Sequence, residues 1–188
     1  MRKLILTGIV LSLLAALPVL AQEEQMASKP ESAEEMTPPK PLTEDKFCSW
    51  MVGEWVGTSE SSNGNSEDWM RVDMKLENNY ALMHYKGKMT TGQYAGMTYE
   101  GMGPVTINPA TGEYVGFWFG TMRDMSQGTG KQEGNKVTMT WQSPQGTHVR
   151  TTEMTGPDKM HVTFKEMDSD GNVISEGTSK LSRKKKES

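Results

Sequence analysis

The sequence predicts an all-β domain, an antiparallel up-and-down β-barrel of about ten strands preceded by a short helix. Three observations predict it. Apolar residues recur with a period of two: Met70, Val72, Met74 and Leu76 alternate with Trp69, Arg71, Asp73 and Lys75, the mark of a half-buried strand. Turn residues break the chain at intervals of about 8 to 15 residues, the spacing of a meander. Glycine fills 18 of the 136 positions from Gly53 onward, roughly twice its usual share of about 7%, as the bends of a curved sheet require.

Taken in order, residues 1–21 begin with Arg2 and Lys3 and continue as a mostly apolar run from Leu4 to Leu20 ending in Val19-Leu20-Ala21. This predicts a secretory signal peptide cleaved after Ala21, and hence a periplasmic or secreted protein. The run holds Gly8 and Pro18 and is shorter than the roughly 20 residues a membrane span needs. No membrane span is expected after cleavage.

Residues 22–46 carry seven acidic residues, three lysines and four prolines, with no glycine or aromatic residue. Such a segment cannot bury enough apolar surface to offset its ordering entropy and reads as a disordered acidic linker. A short helix is expected over Thr43 to Met51 with Thr43 as N-cap. The barrel domain follows over residues 47–183 and a basic tail over 184–188. Strands are predicted at about 53–61, 66–76, 80–89, 97–107, 113–121, 126–133, 136–143, 147–155, 160–168 and 173–183, and closing the meander removes its exposed edges.

The net charge of −4 for the whole chain, and −6 without residues 1–21, argues against a nucleic-acid partner held by phosphate neutralisation. Leu, Ile, Val and Phe number only 18 of the 142 residues from Phe47, but 13 Met, five Trp and five Tyr join them. Methionine therefore supplies much of the core as an adaptable filler. Cys48 is the single cysteine, so no internal disulfide can form, and it reads as a small buried residue.

Gly53-Glu54-Trp55 follows the short helix and opens the first strand, and in this it resembles the Gly-x-Trp motif of lipocalins and the wider calycin superfamily. Phe47 to Gly57, Gly101 to Trp118, Gly128, Arg150 and Leu181-Ser182-Arg183-Lys184 together resemble the bacterial family catalogued as domain of unknown function fifteen seventy-nine, over about residues 47–184. Where that family commonly has Gly-Tyr-Asp before the central turn, this chain has Thr106-Ile107-Asn108. The resemblance implies a lipocalin-like closed barrel and no particular activity.

Candidate cavity residues are those expected on the inner face: Trp55, Met70, Val72, Met74, Phe117, Phe119, Met139, Trp141, His148, Arg150, Val162 and Phe164. The strand from Val115 to Phe119 is apolar on both faces. His148 and Arg150 share one face, and if it points inward the arginine can pair with a ligand carboxylate. The expected partner is a small apolar or amphipathic molecule. The alternative is a barrel filled by its own side chains and acting through its surface.

A haem-binding reading similar to nitrobindin would use His161, with Met83 or Met160 nearby. No cofactor or metal is otherwise called for: His84, His148 and His161 lack metal-ligand spacing. Met122-Arg123-Asp124-Met125 is an isolated thioether pair, and Asp168-Ser169-Asp170-Gly171-Asn172 reads as a hairpin turn rather than a calcium loop. Nucleophile-elbow, phosphate-loop and dinucleotide motifs are absent from the sequence, so no catalytic residue is assigned and a binding role is favoured over an enzymatic one.

Overall fold

A computed structural model describes residues 39–185. The readings of a signal peptide over 1–21, of the linker up to residue 38 and of the last three residues of the tail lie outside them. Ten antiparallel strands form the domain: β1 (Gly53–Ser61), β2 (Gly64–Lys75), β3 (Tyr80–Met89), β4 (Thr98–Ile107), β5 (Tyr114–Gly120), β6 (Met125–Glu133), β7 (Lys136–Ser143), β8 (Gly146–Gly156), β9 (Lys159–Asp168) and β10 (Val173–Arg183). Each pairs with its neighbour in sequence and β10 returns to β1, closing the barrel. All ten agree with the alternation and turn signals to within two residues.

The helix is shorter than its sequence signal. It runs over Lys46–Met51 (α1) and is capped by Asp45, whose Oδ1 accepts from the Cys48 amide at 2.7 Å. The Asp45 carboxylate, a full charge, replaces the Thr43 hydroxyl as N-cap. Thr43 lies instead in a 3-10 turn over Leu42–Glu44. Leu42 is buried, and its amide donates to the Asn78 carbonyl at 2.7 Å. The end of the segment read as linker is therefore seated on the β2–β3 turn.

That helix plugs one end of the barrel. Phe47, Cys48 and Met51 are buried against Val72, Ala81, Val105, Tyr114, Val137 and Met139. Trp55, fully buried, donates from Nε1 to the Met51 carbonyl at 2.9 Å. Arg183 of β10 lies over the Trp55 ring, 4.3 Å from its centroid. Its Nη2 donates to the Trp50 carbonyl at 2.7 Å, its Nη1 to the Val52 carbonyl, and its Nε to Asp158 Oδ1 at 2.9 Å. One guanidinium thus joins the last strand, the first strand and the C-terminal end of α1.

Glycines on the inner face make room for the interior tryptophans. A Cβ added at Gly101 would lie 2.5 Å from Trp118 Cζ2, and one at Gly128 would lie 2.5 Å from Trp141 Cε3. Those separations are far inside van der Waals contact, so a side chain at either site displaces an indole ring.

Replacing Arg183 by Met leaves the Trp50 and Val52 carbonyls without their charged donor. Denaturant unfolding followed by tryptophan fluorescence is expected to show a loss of about 3 kcal/mol, the scale of removing charge-assisted hydrogen bonds at a partly buried site. A loss below about 0.5 kcal/mol, as for an ordinary surface substitution, would show that closure does not rest on this residue.

Candidate ligand site in the barrel interior

The alternation of each strand decides which candidate residues face inward. Trp55, Met70, Val72, Met139, Trp141 and Val162 are buried in the interior, and Met74 packs against them. Arg150, His148 and Phe164 also share the inward parity: Arg150 lies opposite Met139 on β7 and Phe164 on β9. Phe117 and Phe119 do not belong to the cavity. They sit on the outer face, 45% and 47% exposed, while Tyr114, Gly116, Trp118 and Gly120 take the inner positions of β5. The reason is steric: the inner face at residue 116 is closed by Trp141, whose Cη2 lies 3.0 Å from where a Cβ would stand.

The interior has two parts. Toward α1 it is apolar. Toward the far mouth it is polar, with Ser59, Ser66, Asp68, Ser175 and Ser179 all buried. Asp68 accepts from Ser66 Oγ at 2.7 Å, from the Tyr85 hydroxyl at 2.9 Å and from Ser59 Oγ, and Ser59 in turn meets Ser179 at 2.6 Å. A buried carboxylate is tolerated only when hydrogen-bonded in this way. A second chain runs from Trp118 Nε1 to the Tyr99 hydroxyl at 2.7 Å and from that hydroxyl to Asp124 Oδ2 at 2.8 Å. None of these polar residues was singled out from sequence. The signal was the parity itself, since Ser66 and Asp68 alternate in step with Met70 and Val72.

Arg150 stands where the two parts meet. Its Nε is buried without a hydrogen-bond partner, and no carboxylate lies within ion-pairing distance of it among the described residues. Burial pushes its pKa below the usual guanidinium value, opposed by the fields of Tyr85 and Asp68. An arginine nonetheless remains cationic in a protein. Arg150 lines a cavity of about 60 Å³ with Thr152, Met83, Met139, Trp141 and Cys48.

Two residues toward the mouth, His148 is stacked on Phe164, with ring centroids 6.1 Å apart and planes 9° apart, and its Nδ1 is 3.3 Å from Glu166 Oε1. His161 faces outward, since its neighbours Met160 and Val162 are the buried residues of β9. Met160 and Met83 point into the barrel, so His161 does not meet them, and the arrangement needed for an iron ligand at His161 is not formed.

Other features resolve simply. A larger groove of about 530 Å³ lies on the outer face of β8–β10, lined by Val149, Thr151, Thr163, Lys165, Glu176 and Thr178. It is open to solvent, and its charged pair, Lys165 and Glu176, is self-satisfied at 3.6 Å. Asp168 closes the β9–β10 turn, accepting from the Asn172 side chain and from the amides of Asn172 and Asp170, and these bonds hold its carboxyl below the usual range. Met122 and Met125 are exposed. Cys48 is buried, which pushes its thiol pKa up, and Asp45 adds to this. Among the described residues no three His, Cys, Asp or Glu side chains converge as metal ligands, and no helix is long and apolar enough to cross a membrane.

This is a closed ten-strand up-and-down β-barrel whose interior is apolar toward α1 and polar toward the far mouth, with Arg150 between them and without an ion-pair partner among the described residues. Comparison with solved structures agrees on the fold. The S-type phycobiliprotein lyase CPES from Guillardia theta superposes with a TM-score of 0.58 at 12% identity, over 76% of this chain and 93% of that one. Rv2717c from M. tuberculosis does so with a TM-score of 0.58 at 9% identity, over 79% of this chain and 100% of that one. At such identities the likeness is one of architecture alone. No protein-family model and no curated protein matches the chain, so the resemblance to the family of domain of unknown function fifteen seventy-nine gains no support from a family match.

Burial raises the pKa of Tyr85 and of Tyr99, with the Asp68 and Asp124 carboxylates adding to it, and burial likewise raises Tyr114. In the unfolded chain a tyrosine ionises near pH 10, so above that pH the unfolded state has lost protons that the folded state keeps. Stability is then complete below about pH 10 and declines as pH rises further. Ultraviolet titration with denaturant unfolding is expected to show these three phenols ionising together with loss of fold. Ionisation of all five tyrosines near pH 10 in a still-folded protein would contradict it.

Proposed function

We propose that this protein binds a small amphipathic acid inside the barrel, the acid group on Arg150 and the apolar part among the methionines beneath α1. The observation that carries the reading is the Arg150 guanidinium, a half-buried cation lining a cavity, its Nε buried and without a hydrogen-bond partner among the described residues. A buried donor left without an acceptor costs about 1–3 kcal/mol, and a ligand carboxylate would supply two acceptors in the planar geometry that arginine matches. The cavity of about 60 Å³ is far below the roughly 300 Å³ or more of drug-sized pockets. The ligand is therefore short, and Met51, Met83 and Met139 on the wall are the flexible side chains that can give way to an alkyl chain. The basic and apolar start of the sequence supports export, so the proposed setting is the periplasm or the medium. A non-catalytic carrier or sensor role fits this set of groups.

A second reading has one observation in its favour. Met102, Phe119 and Met125 are register neighbours across β4, β5 and β6, and with Phe117 they leave an apolar patch on the outer surface. Such a patch marks contact surfaces in general, and a barrel acting through it would carry no ligand.

The two readings part on calorimetric titration with hexanoate and with hexanol, together with native mass spectrometry of the exported protein. The interior-acid reading predicts hexanoate binding, weakened at least about 30-fold in Arg150→Met, an effect of about 2 kcal/mol, with hexanol bound no better than hexanoate is by that variant. Equal binding of acid and alcohol, or a bare protein that binds neither, would sink it.

A further inference from the structure

The interior acid site has a second ionisable group at its threshold. His148 and Arg150 alternate on β8 with the same inward parity, which sets them about 7 Å apart along the strand. Between the mouth and Arg150, the imidazole runs parallel to the Phe164 ring, their centroids 6.1 Å apart, and its Nδ1 faces Glu166 Oε1 at 3.3 Å. Both partners are partly exposed, with 32% of the His148 side chain and 43% of the Glu166 side chain open to solvent. Protons can reach the pair without unfolding.

We propose that the His148–Glu166 pair makes acid binding at Arg150 depend on pH, so that the barrel takes up its anionic ligand at mildly acidic pH and releases it as pH rises. The inference rests on the reading of Arg150 as the ligand's partner. With His148 neutral, Glu166 presents an uncompensated carboxylate at the entrance and repels an approaching anion. Protonating His148 cancels that charge. By linkage, a bound anion must then favour the protonated imidazole, and binding takes up a proton.

The sign follows from the groups that face His148. On its own strand these are Gly146 and Arg150; β7 presents Trp141 and Ser143, neither of which titrates. From β9 come Phe164, Glu166 and Asp168, the last engaged by the Asn172 turn. Across the mouth are Tyr99, whose hydroxyl lies in the field of Glu166 and is bonded to Asp124, and Tyr85, bonded to Asp68. Of these residue types, histidine is the one whose ordinary titration falls between about pH 5 and 8.

The test uses hexanesulfonate, whose sulfonate keeps its charge throughout that range, so that any pH dependence belongs to the protein. Calorimetry at low salt is expected to show binding about tenfold tighter near pH 5 than near pH 8, equivalent to one pK unit of coupling. Within the same pH range, proton uptake should appear as a dependence of the heat on buffer ionisation. In His148→Gln the pH dependence and the proton uptake disappear while binding persists. In Glu166→Gln the affinity near pH 8 rises toward the value that wild type reaches near pH 5, which a purely structural role for Glu166 would not produce. Added salt reduces the effect, because the pair is exposed.

Arg150-dependent binding with the same affinity at both pH values, or a pH dependence that survives in His148→Gln, would overturn the proposal and leave the acid site standing. Hexanesulfonate binding that Arg150→Met does not weaken, or no binding at any pH, would overturn both.

Discussion

Closure of the β1–β10 seam is the constraint on which the rest of this structure depends. Ten strands joined in sequence order leave two edges, and an unpaired edge is both unstable and an aggregation site. Here the seam is paired from Trp55 to Ser61, and Arg183 fixes it at the α1 end by lying on Trp55 and reaching the carbonyls of Trp50 and Val52. The same contact holds the C-terminal end of α1 against the barrel, so the seam and the plug are stabilised together. Phe47, Cys48 and Met51 shut one end, so the proposed ligand has the other end as its way in.

The composition of the interior follows from that asymmetry. Beneath α1 the inward positions are apolar: Val72, Ala81, Val105, Val137 and Met139. Nearer the mouth the inward positions become Ser59, Ser66, Asp68, Tyr85 and Ser179, tied into one hydrogen-bonded network around Asp68. Arg150 lies on the boundary, close enough to Asp68 and Tyr85 to be held charged by their fields and too far from them to be paired. A protein that needed the arginine only for stability would have gained by pairing it or by replacing it with an apolar residue.

Much of the fold was legible because its signals are local. Period-two alternation and turn residues located every strand, and Gly53-Glu54-Trp55 marked where the first one starts. The inner face of β5 was not legible from hydrophobicity, since Val115, Phe117 and Phe119 are as apolar as Tyr114 and Trp118. Glycine was the better guide: Gly116 and Gly120 share parity with Trp118, and the inside is crowded where indoles pack on bare backbone. The polar network was obscured for the opposite reason. Serine and aspartate on a strand usually signal the solvent face, and only their parity with Met70 and Val72 places them within. Arg150 was visible as a candidate, but its lack of a partner is a fact of three dimensions.

The most direct test of the central claim is the side-chain Nε–Hε resonance of Arg150 in a nitrogen-15 correlation spectrum of the protein, where only five arginines occur in the whole sequence and Arg150→Lys assigns the signal. The account predicts a slowly exchanging Arg150 signal, because Nε is buried and unbonded, that moves downfield on adding hexanoate and not on adding hexanol. An Arg150 signal that exchanges as fast as those of exposed arginines, or that stays in place while hexanoate saturates the protein, would contradict it.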